Sequence, residues 1–311
     1  MTADGTAELL ARSPADAGAE TDLARAKINL ALHVLGRRAD GYHELDSLVV
    51  FAALADTLTA SPSAEPLVEL DCDGDFADML AAATPPGGNL VSAVARHLMQ
   101  AFPDRIRGGV RLHLTKVLPV AAGIGGGSAD AAAALRLLDR VWRLGLSPAE
   151  LARLGAGFGA DVPVCVHGRP SRMEGIGERV TPLEAIPALP MVLLNPGVAV
   201  DTGAVFRRLA PAPRAPLPPM PSRFASPAEL ASWLREARND LYEPARLEAP
   251  VIGTALDRLA ADPACLLARM SGSGATVFGL FPTVEAAQRA AARIRDARPD
   301  WWVVATWTGG S

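Results

Sequence analysis

Residues 123–127 read Gly-Ile-Gly-Gly-Gly, and Ser-Ala-Asp follows at 128–130. Four glycines in five residues let backbone N–H groups approach a ligand closely. The preceding stretch, GVRLHLTKVLP (109–119), alternates apolar and polar residues and predicts a strand, with Arg111, His113 and Thr115 on one face. The following stretch predicts a long helix from Ser128 to about Leu144. A strand, a glycine-rich loop and a helix N-terminus together make a cradle for phosphate, because the helix start offers unpaired N–H groups and the positive end of its dipole. The loop is not a Walker A loop, since the Gly-Lys-[Ser/Thr] ending is absent. It is not a dinucleotide fingerprint either, since Ser128 stands where the third glycine belongs. A tight turn alone needs only one glycine.

The chain has 311 residues, enough for roughly two domains. Hydrophobic residues make up 50% and charged residues 21%, which excludes a disordered or collagen-like chain. The net charge of −4 argues against a dedicated nucleic-acid binder. No run of 18 apolar residues predicts a membrane span. The first 22 residues carry acids and no apolar core, unlike a signal peptide, and residues 1–21 read as a mobile extension. Cys72, Cys165 and Cys265 form neither a disulfide framework nor a zinc pattern, which fits a reducing cytoplasm.

All of the 30 basic residues except Lys27 and Lys116 are Arg. Drift in a GC-rich genome explains most of that bias. A Lys that survives it is a candidate for a tight site where only a compact ammonium fits. Lys27 lies mid-strand in RAKINLALHVLG (25–36); it either snorkels at an edge or faces a pocket and stabilises developing negative charge.

Further strands are expected at 47–60 and 67–72, and 37–46 reads as a turn or loop. Asn89 caps a helix in NLVSAVARHLMQAF. Ser147-Pro148 opens another helix, and GADVPVCVHG (159–168) reads as loop then strand. The Gly155–Ala160 stretch fits a loose GxGxxA pattern but follows a helix, so it is a helix stop. Beyond Pro187 come a short buried strand at 191–197, a helix at 201–209 and a Pro-rich surface loop at 211–227. After two or three helices, 266–281 reads as strand, glycine turn, strand; a helix and a final strand close the chain. This half follows a split β-α-β plan.

Asp161 is either a loop cap or the acceptor of a substrate hydroxyl proton. Asp130 complements the helix dipole, with a magnesium role as the weaker alternative. Ser128 is an N-cap, a candidate magnesium and phosphate ligand, or both. His33, His97, His113 and His167 lack metal spacing and read as structural. Ser271-Gly272-Ser273-Gly274 is either a plain hairpin turn or a ledge packed against the phosphate loop.

Residues 118–134 (LPVAAGIGGGSADAAAA) resemble the phosphate loop of the GHMP kinases, the superfamily of galactokinase, homoserine, mevalonate and phosphomevalonate kinases. AKINLALHVLGRRADGYHELDSL (26–48) is similar to the corresponding segment of its 4-diphosphocytidyl-2-C-methyl-D-erythritol kinase family. GADVPV, EGIGE, NPGVAVDTGAVF, ND at 239–240 and ARMSGSGATVF follow in that family's order. The resemblance covers roughly 23–310 and leaves out the extension and the Pro-rich stretch.

The resemblance implies an α+β fold: a ribosomal protein S5 domain 2-like N-terminal domain (22–186) and a ferredoxin-like C-terminal domain (187–311). It implies an ATP- and Mg2+-dependent kinase of non-mevalonate isoprenoid precursor biosynthesis. Such an enzyme phosphorylates a 2-hydroxyl on a small molecule carrying a cytidine diphosphate. By motif, Lys27 and Asp161 are the catalytic pair and Asn29 positions the reacting hydroxyl. Tyr42 stacks on the cytosine, His43 hydrogen-bonds it and Phe206 covers its other face. Asn89 and Lys116 lie at the nucleotide. Pro119, Val120, Ala121, Ala122, Gly123, Ile124, Gly125, Gly126, Gly127, Ser128 and Ala129 form the ATP loop, with Ser128 the candidate Mg2+ ligand. Ala121 and Ala122 stand where family loops often carry Gly, and Ala129 where a second Ser is common. A cytoplasmic monomer or weak homodimer is expected, with no nucleic-acid or membrane partner. The alternatives are another small-molecule kinase of the superfamily, of homoserine or mevalonate type, and a non-catalytic nucleotide-binding regulator on the same fold.

Overall fold

The computed structural model describes residues 19–85, 88–184, 186–210 and 214–309. The expected extension lies outside these residues as far as position 18. Glu20 and Thr21 are not part of any extension: they already pair with Ala60 and Thr59, and Glu20 is bonded to Arg140.

The first sheet is built on a long antiparallel pair, β1 (Glu20–Arg37) and β2 (His43–Ser63). The turn between them is shorter than 37–46, because His43, Glu44 and Leu45 are already paired across to β1. β3 (Val68–Asp73) runs parallel to β4 (Gly109–Thr115), which pairs with the C-terminal part of β2. A short hairpin, β5 (Ser171–Gly175) and β6 (Arg179–Pro182), pairs with the N-terminal part of β2. Among the described residues five helices belong to this half: α1 (Ala77–Ala83), α2 (Leu90–Ala101), α3 (Gly126–Val141), α4 (Pro148–Gly155) and α5 (Val162–His167).

Helix α3 is the centre of the packing. Its run from Ala129 to Leu135 is wholly buried against β1, β2, α2 and α5. Alanine suits that place: it has high helix propensity and lets a helix lie close to its neighbours on every side. The segment at 162–167, expected as a strand, is helix α5. Pro163 starts it, Gly168 in a left-handed conformation (φ 60°) ends it, and Val162 to Val166 are buried. The β-branched composition favours a strand locally, and packing overrides that preference.

The second sheet holds β7 (Pro190–Asn195), β8 (Leu267–Met270), β9 (Val277–Leu280) and β10 (Trp302–Trp307). Its order is β10-β7-β9-β8, antiparallel throughout. With α6 (Thr202–Arg207), α7 (Pro227–Leu234), α8 (Tyr242–Glu248) and α9 (Val251–Ala260) between β7 and β8, and α10 (Val284–Ala297) between β9 and β10, this is the ferredoxin-like plan.

The two sheets share one apolar core. Ile28, Leu30 and Leu48 from β1 and β2 pack with Met191, Leu193 and Phe278 from β7 and β9. Backbone bonds from Leu32 N–H to the Arg238 carbonyl and from Asp240 N–H to the Leu32 carbonyl cross the same seam. A division at 186/187 is our proposed domain boundary. No helix among the described residues is long and apolar enough to cross a membrane.

Candidate active site

A cleft of about 910 Å³ runs along the seam. Its floor is β1. The register of β1 on β2 slips between Arg25 and Lys27 and again between Asn29 and Ala31. Bulges of this kind re-aim side chains, and here they bracket Lys27 and Asn29, both of which line the cleft.

The Lys27 ammonium is 2.8 Å from the Asp161 carboxylate and donates to Asn29 Oδ1 at 3.2 Å. Lys27 is buried, whereas the Asp161 side chain is 37% exposed. Asp161 precedes α5 and makes no side-chain cap bond, so its carboxylate is not occupied as a loop cap. Asn29 Nδ2 donates to Ser47 Oγ at 2.8 Å, and Ser47 Oγ donates to the Ala31 carbonyl at 2.7 Å. Asn29, one of the two partners of the Lys27 ammonium, is thus fixed by a further bond, which holds that side of the ammonium in one geometry.

The glycine loop forms one wall. The Lys27 N–H donates to the Ile124 carbonyl at 2.9 Å, tying loop to floor. Of the three consecutive glycines only Gly125 has positive φ (66°), and a Cβ there would lie 3.2 Å from the Lys27 side chain. Gly125 caps α3, which starts at Gly126; Ser128 is therefore in the first turn and is not the N-cap. Ser128 lines the cleft. From the sequence-predicted loop, Ala121, Ala122, Gly123 and Gly125 to Ser128 face the cleft, while Pro119, Val120, Ile124 and Ala129 do not line it. Ala121 adopts φ 53°, a conformation that glycine takes readily and alanine resists.

The Ser271–Gly274 stretch is the ledge and not a plain turn. Ser271 Oγ donates to the Gly123 carbonyl at 2.9 Å and accepts the Asn29 N–H at 3.1 Å. Thr276 N–H donates to the Ala122 carbonyl. Asn239 Nδ2 donates to the Met270 and Gly272 carbonyls and holds the ledge from below.

Lys116 lies behind the loop. It is 1% exposed and bonded to Asp56 at 2.5 Å and Asp130 at 2.8 Å. Asp56 also accepts the N–H groups of Val117 and Leu118, so this triad pins the loop from beneath. Lys116 and Asn89 do not line the cleft. The Asn89 side chain is engaged as the cap of α2, accepting the Val91 N–H at 2.8 Å. The next residue, Leu90, does line the cleft. Asp130 Oδ1 is buried without a partner, and burial pushes the Asp130 carboxyl up to about 7. Facing Lys116 and away from the cleft, Asp130 is not placed for magnesium.

At the far end stand Tyr42, His43 and Phe206. The His43 and Phe206 rings lie 5.0 Å apart, tilted by 30°, and Tyr42 is 61% exposed. Burial, then the fields of Arg37 and Arg214, hold the His43 pKa below its usual value. The reading of sequence motifs missed Leu90, Arg37, Arg207 and Arg214 in the lining. Of these only Leu90 carries a local signal, an apolar residue directly after a helix cap.

Residues 89–169 match the GHMP kinases N terminal domain and residues 224–300 the GHMP kinases C terminal domain. A 4-diphosphocytidyl-2-C-methyl-D-erythritol kinase from Dinoroseobacter shibae is 51% identical over 91% of this chain and 93% of its own. The chain belongs to the GHMP kinases. A second kinase with that name, from Parvibaculum lavamentivorans, is 50% identical over 94% of this chain and 99% of its own. This GHMP kinase also superimposes on a crystal structure of 4-(cytidine 5'-diphospho)-2C-methyl-D-erythritol kinase with a TM-score of 0.73. The two are 34% identical over 94% of this chain and 100% of the other. An L. major mevalonate kinase in complex with R-mevalonate shares the fold, at a TM-score of 0.66 and 15% identity over 94% of this chain and 96% of its own. The fold is therefore the one expected from the loop, and the activity is that of an ATP-dependent small-molecule kinase.

Proposed function

We propose that this kinase transfers the γ-phosphoryl group of ATP to the 2-hydroxyl of 4-(cytidine 5'-diphospho)-2-C-methyl-D-erythritol. The observation that carries the reading is the Lys27–Asp161 pair set between a glycine loop and the Tyr42–His43–Phe206 corner. Phosphoryl transfer asks for positioning and charge neutralisation more than for covalent chemistry by the protein. The N–H groups at the start of α3 receive the triphosphate, and Leu90 supports the nucleoside half. Asn29 orients the acceptor hydroxyl. The hydroxyl oxygen bonds to the γ-phosphorus, the bridging P–O bond breaks with its electron pair leaving on ADP, and the hydroxyl proton passes to Asp161. Lys27 neutralises the charge that builds on the attacking oxygen.

Magnesium would neutralise the phosphate oxygens during transfer. The donor set fits it: a hard cation of this kind takes one or two protein oxygens and completes its shell with phosphates and water. Ser128 Oγ, in the first turn of α3 at the cleft, would hold it. We place the enzyme in the cytoplasm, a reading supported by three cysteines that are all free, and as a monomer or weak homodimer without nucleic-acid or membrane partners. The test is ADP release with three acceptors offered separately: the cytidyl compound, homoserine and mevalonate. Turnover at least a hundredfold faster with the cytidyl compound is expected. Equal or faster turnover with either of the others would overturn the assignment.

A further inference from the structure

Among the described residues Asp161 is the sole carboxylate lining the cleft, and it is paired with Lys27. Three guanidinium groups line the opposite end: Arg37 at the end of β1, Arg207 on α6 and Arg214 in the Pro-rich stretch. Their local partners leave most of that charge uncompensated. Arg37 Nε donates to the Gly41 carbonyl at 3.3 Å. Arg207 approaches Asp201 at 3.4 Å with both side chains largely exposed, a pairing of little strength in water. Arg214 is 4.0 Å from Asp240, whose carboxylate already receives Arg238 Nε at 2.7 Å and the Val34 N–H at 2.7 Å. Three cations from three separate elements meet at one cavity end, where among the described residues Arg207 has only an exposed contact to Asp201 and Arg214 only a long one to an already engaged Asp240, and this describes an anion site.

Arg214 is the residue that sequence motifs do not reach, yet its backbone is held firmly. Its N–H donates to the Leu35 carbonyl at 3.2 Å. The next carbonyl, of Ala215, receives Arg238 Nη2 and is 3.1 Å from His33 Nδ1. Leu217 N–H donates to the buried Asp46 carboxylate at 2.8 Å. Pro216, Pro218 and Pro219 stiffen the segment further, because proline fixes φ. A guanidinium on such a segment is pre-organised and loses little freedom on binding.

We propose that Arg214, with Arg37 and Arg207, forms a diphosphate-binding corner that reads the acceptor substrate between its base and its alcohol. This rests on the function proposed above. The base end at Tyr42, His43 and Phe206 fixes the cytosine, and the catalytic pair fixes the alcohol. The diphosphate joining them passes the arginine end, where planar guanidinium groups match phosphate oxygens. Arg214 is therefore a specificity residue: an acceptor lacking the diphosphate leaves the corner unpaired and binds weakly.

The test is calorimetric binding of CDP and of cytidine to enzyme saturated with a non-hydrolysable ATP analogue, which keeps both ligands off the glycine loop. Wild-type enzyme is expected to bind CDP at least tenfold more tightly than cytidine. Arg214→Gln should cut that ratio threefold or more while leaving cytidine and ATP-analogue affinities within twofold. Arg37→Gln, on a different element, should cut it likewise and guards against a folding defect in the first variant. A ratio unchanged in both variants would overturn the diphosphate corner. So would wild-type enzyme that binds CDP no better than cytidine, with base recognition left standing. Wild-type enzyme that binds neither compound would instead overturn the proposed function itself.

Discussion

Asp161 and Lys27 differ in what each gives to the reaction, and substitutions separate the two. Asp161→Asn keeps shape but cannot receive a proton, so kcat should fall by about 10²–10⁴ with ATP binding unchanged; kcat within threefold of wild type would remove the base. Lys27→Arg should be nearly as damaging as Lys27→Ala. Arg is bulkier and its charge is spread, so it cannot replace the point ammonium held between Asp161 and Asn29. Asp130 makes the opposite prediction. Its carboxyl is raised to about 7 by burial, so the folded state holds a proton that the unfolded chain has already lost. Stability therefore declines as pH rises from about 4 toward 7, and the full penalty is present above 7. Asp130→Asn retains an acceptor for Lys116 and loses the charge. Thermal melts should show the variant gaining on wild type as pH rises from 6 to 8; a gain that shrinks over that range would contradict the assignment.

The loop and its supports make sense as elements. Ala121 sits at φ 53° where family loops often carry Gly. Ala121→Gly should relieve about 1 kcal/mol of backbone strain, raising Tm by about 1–2 °C; a lower Tm would show that the Ala methyl packs usefully. His33 carries a similar lesson for the Pro-rich segment. Its Nε2 accepts the Arg238 N–H at 3.0 Å, so Nδ1 holds the proton and donates to Ala215. Burial lowers its pKa. The neutral ring stabilises the fold above the unfolded-state pKa of about 6.5, and this contribution is lost as pH falls through the lower folded value. The drop in Tm below pH 6.5 should be smaller in His33→Gln than in wild type; identical pH profiles would rule out the clamp. The glycine run, the Asn89 cap and the alternating strands were legible locally because each is a property of neighbours in sequence. Helix α5 was not, because the burial that decides it comes from α3 and α4. Lys116 was legible only in part: its rarity marks an irreplaceable ammonium, but only the fold reveals that two carboxylates hold it beside the loop.

The whole molecule joins two sheets through one core and stretches a cleft across the join. A hydrogen-bond chain runs Lys27–Asn29–Ser271–Gly123, from catalytic ammonium through ledge to phosphate loop. The two halves therefore set each other's geometry, and a defect in the ledge should slow chemistry without unfolding either half. Sequence motifs named both ends of the cleft but not its arginine corner, since Arg37, Arg207 and Arg214 meet only in three dimensions. The central claim is that this cleft carries a phosphoryl group from ATP to one hydroxyl of a cytidine-linked alcohol. Phosphorus NMR of the product, run for wild type and Asp161→Asn in parallel, tests it most directly. A new phosphomonoester on the 2-oxygen, formed one-for-one with ADP by wild type and at least a hundredfold more slowly by the variant, is predicted. ADP without a phosphomonoester, or equal rates for the two proteins, would contradict the account.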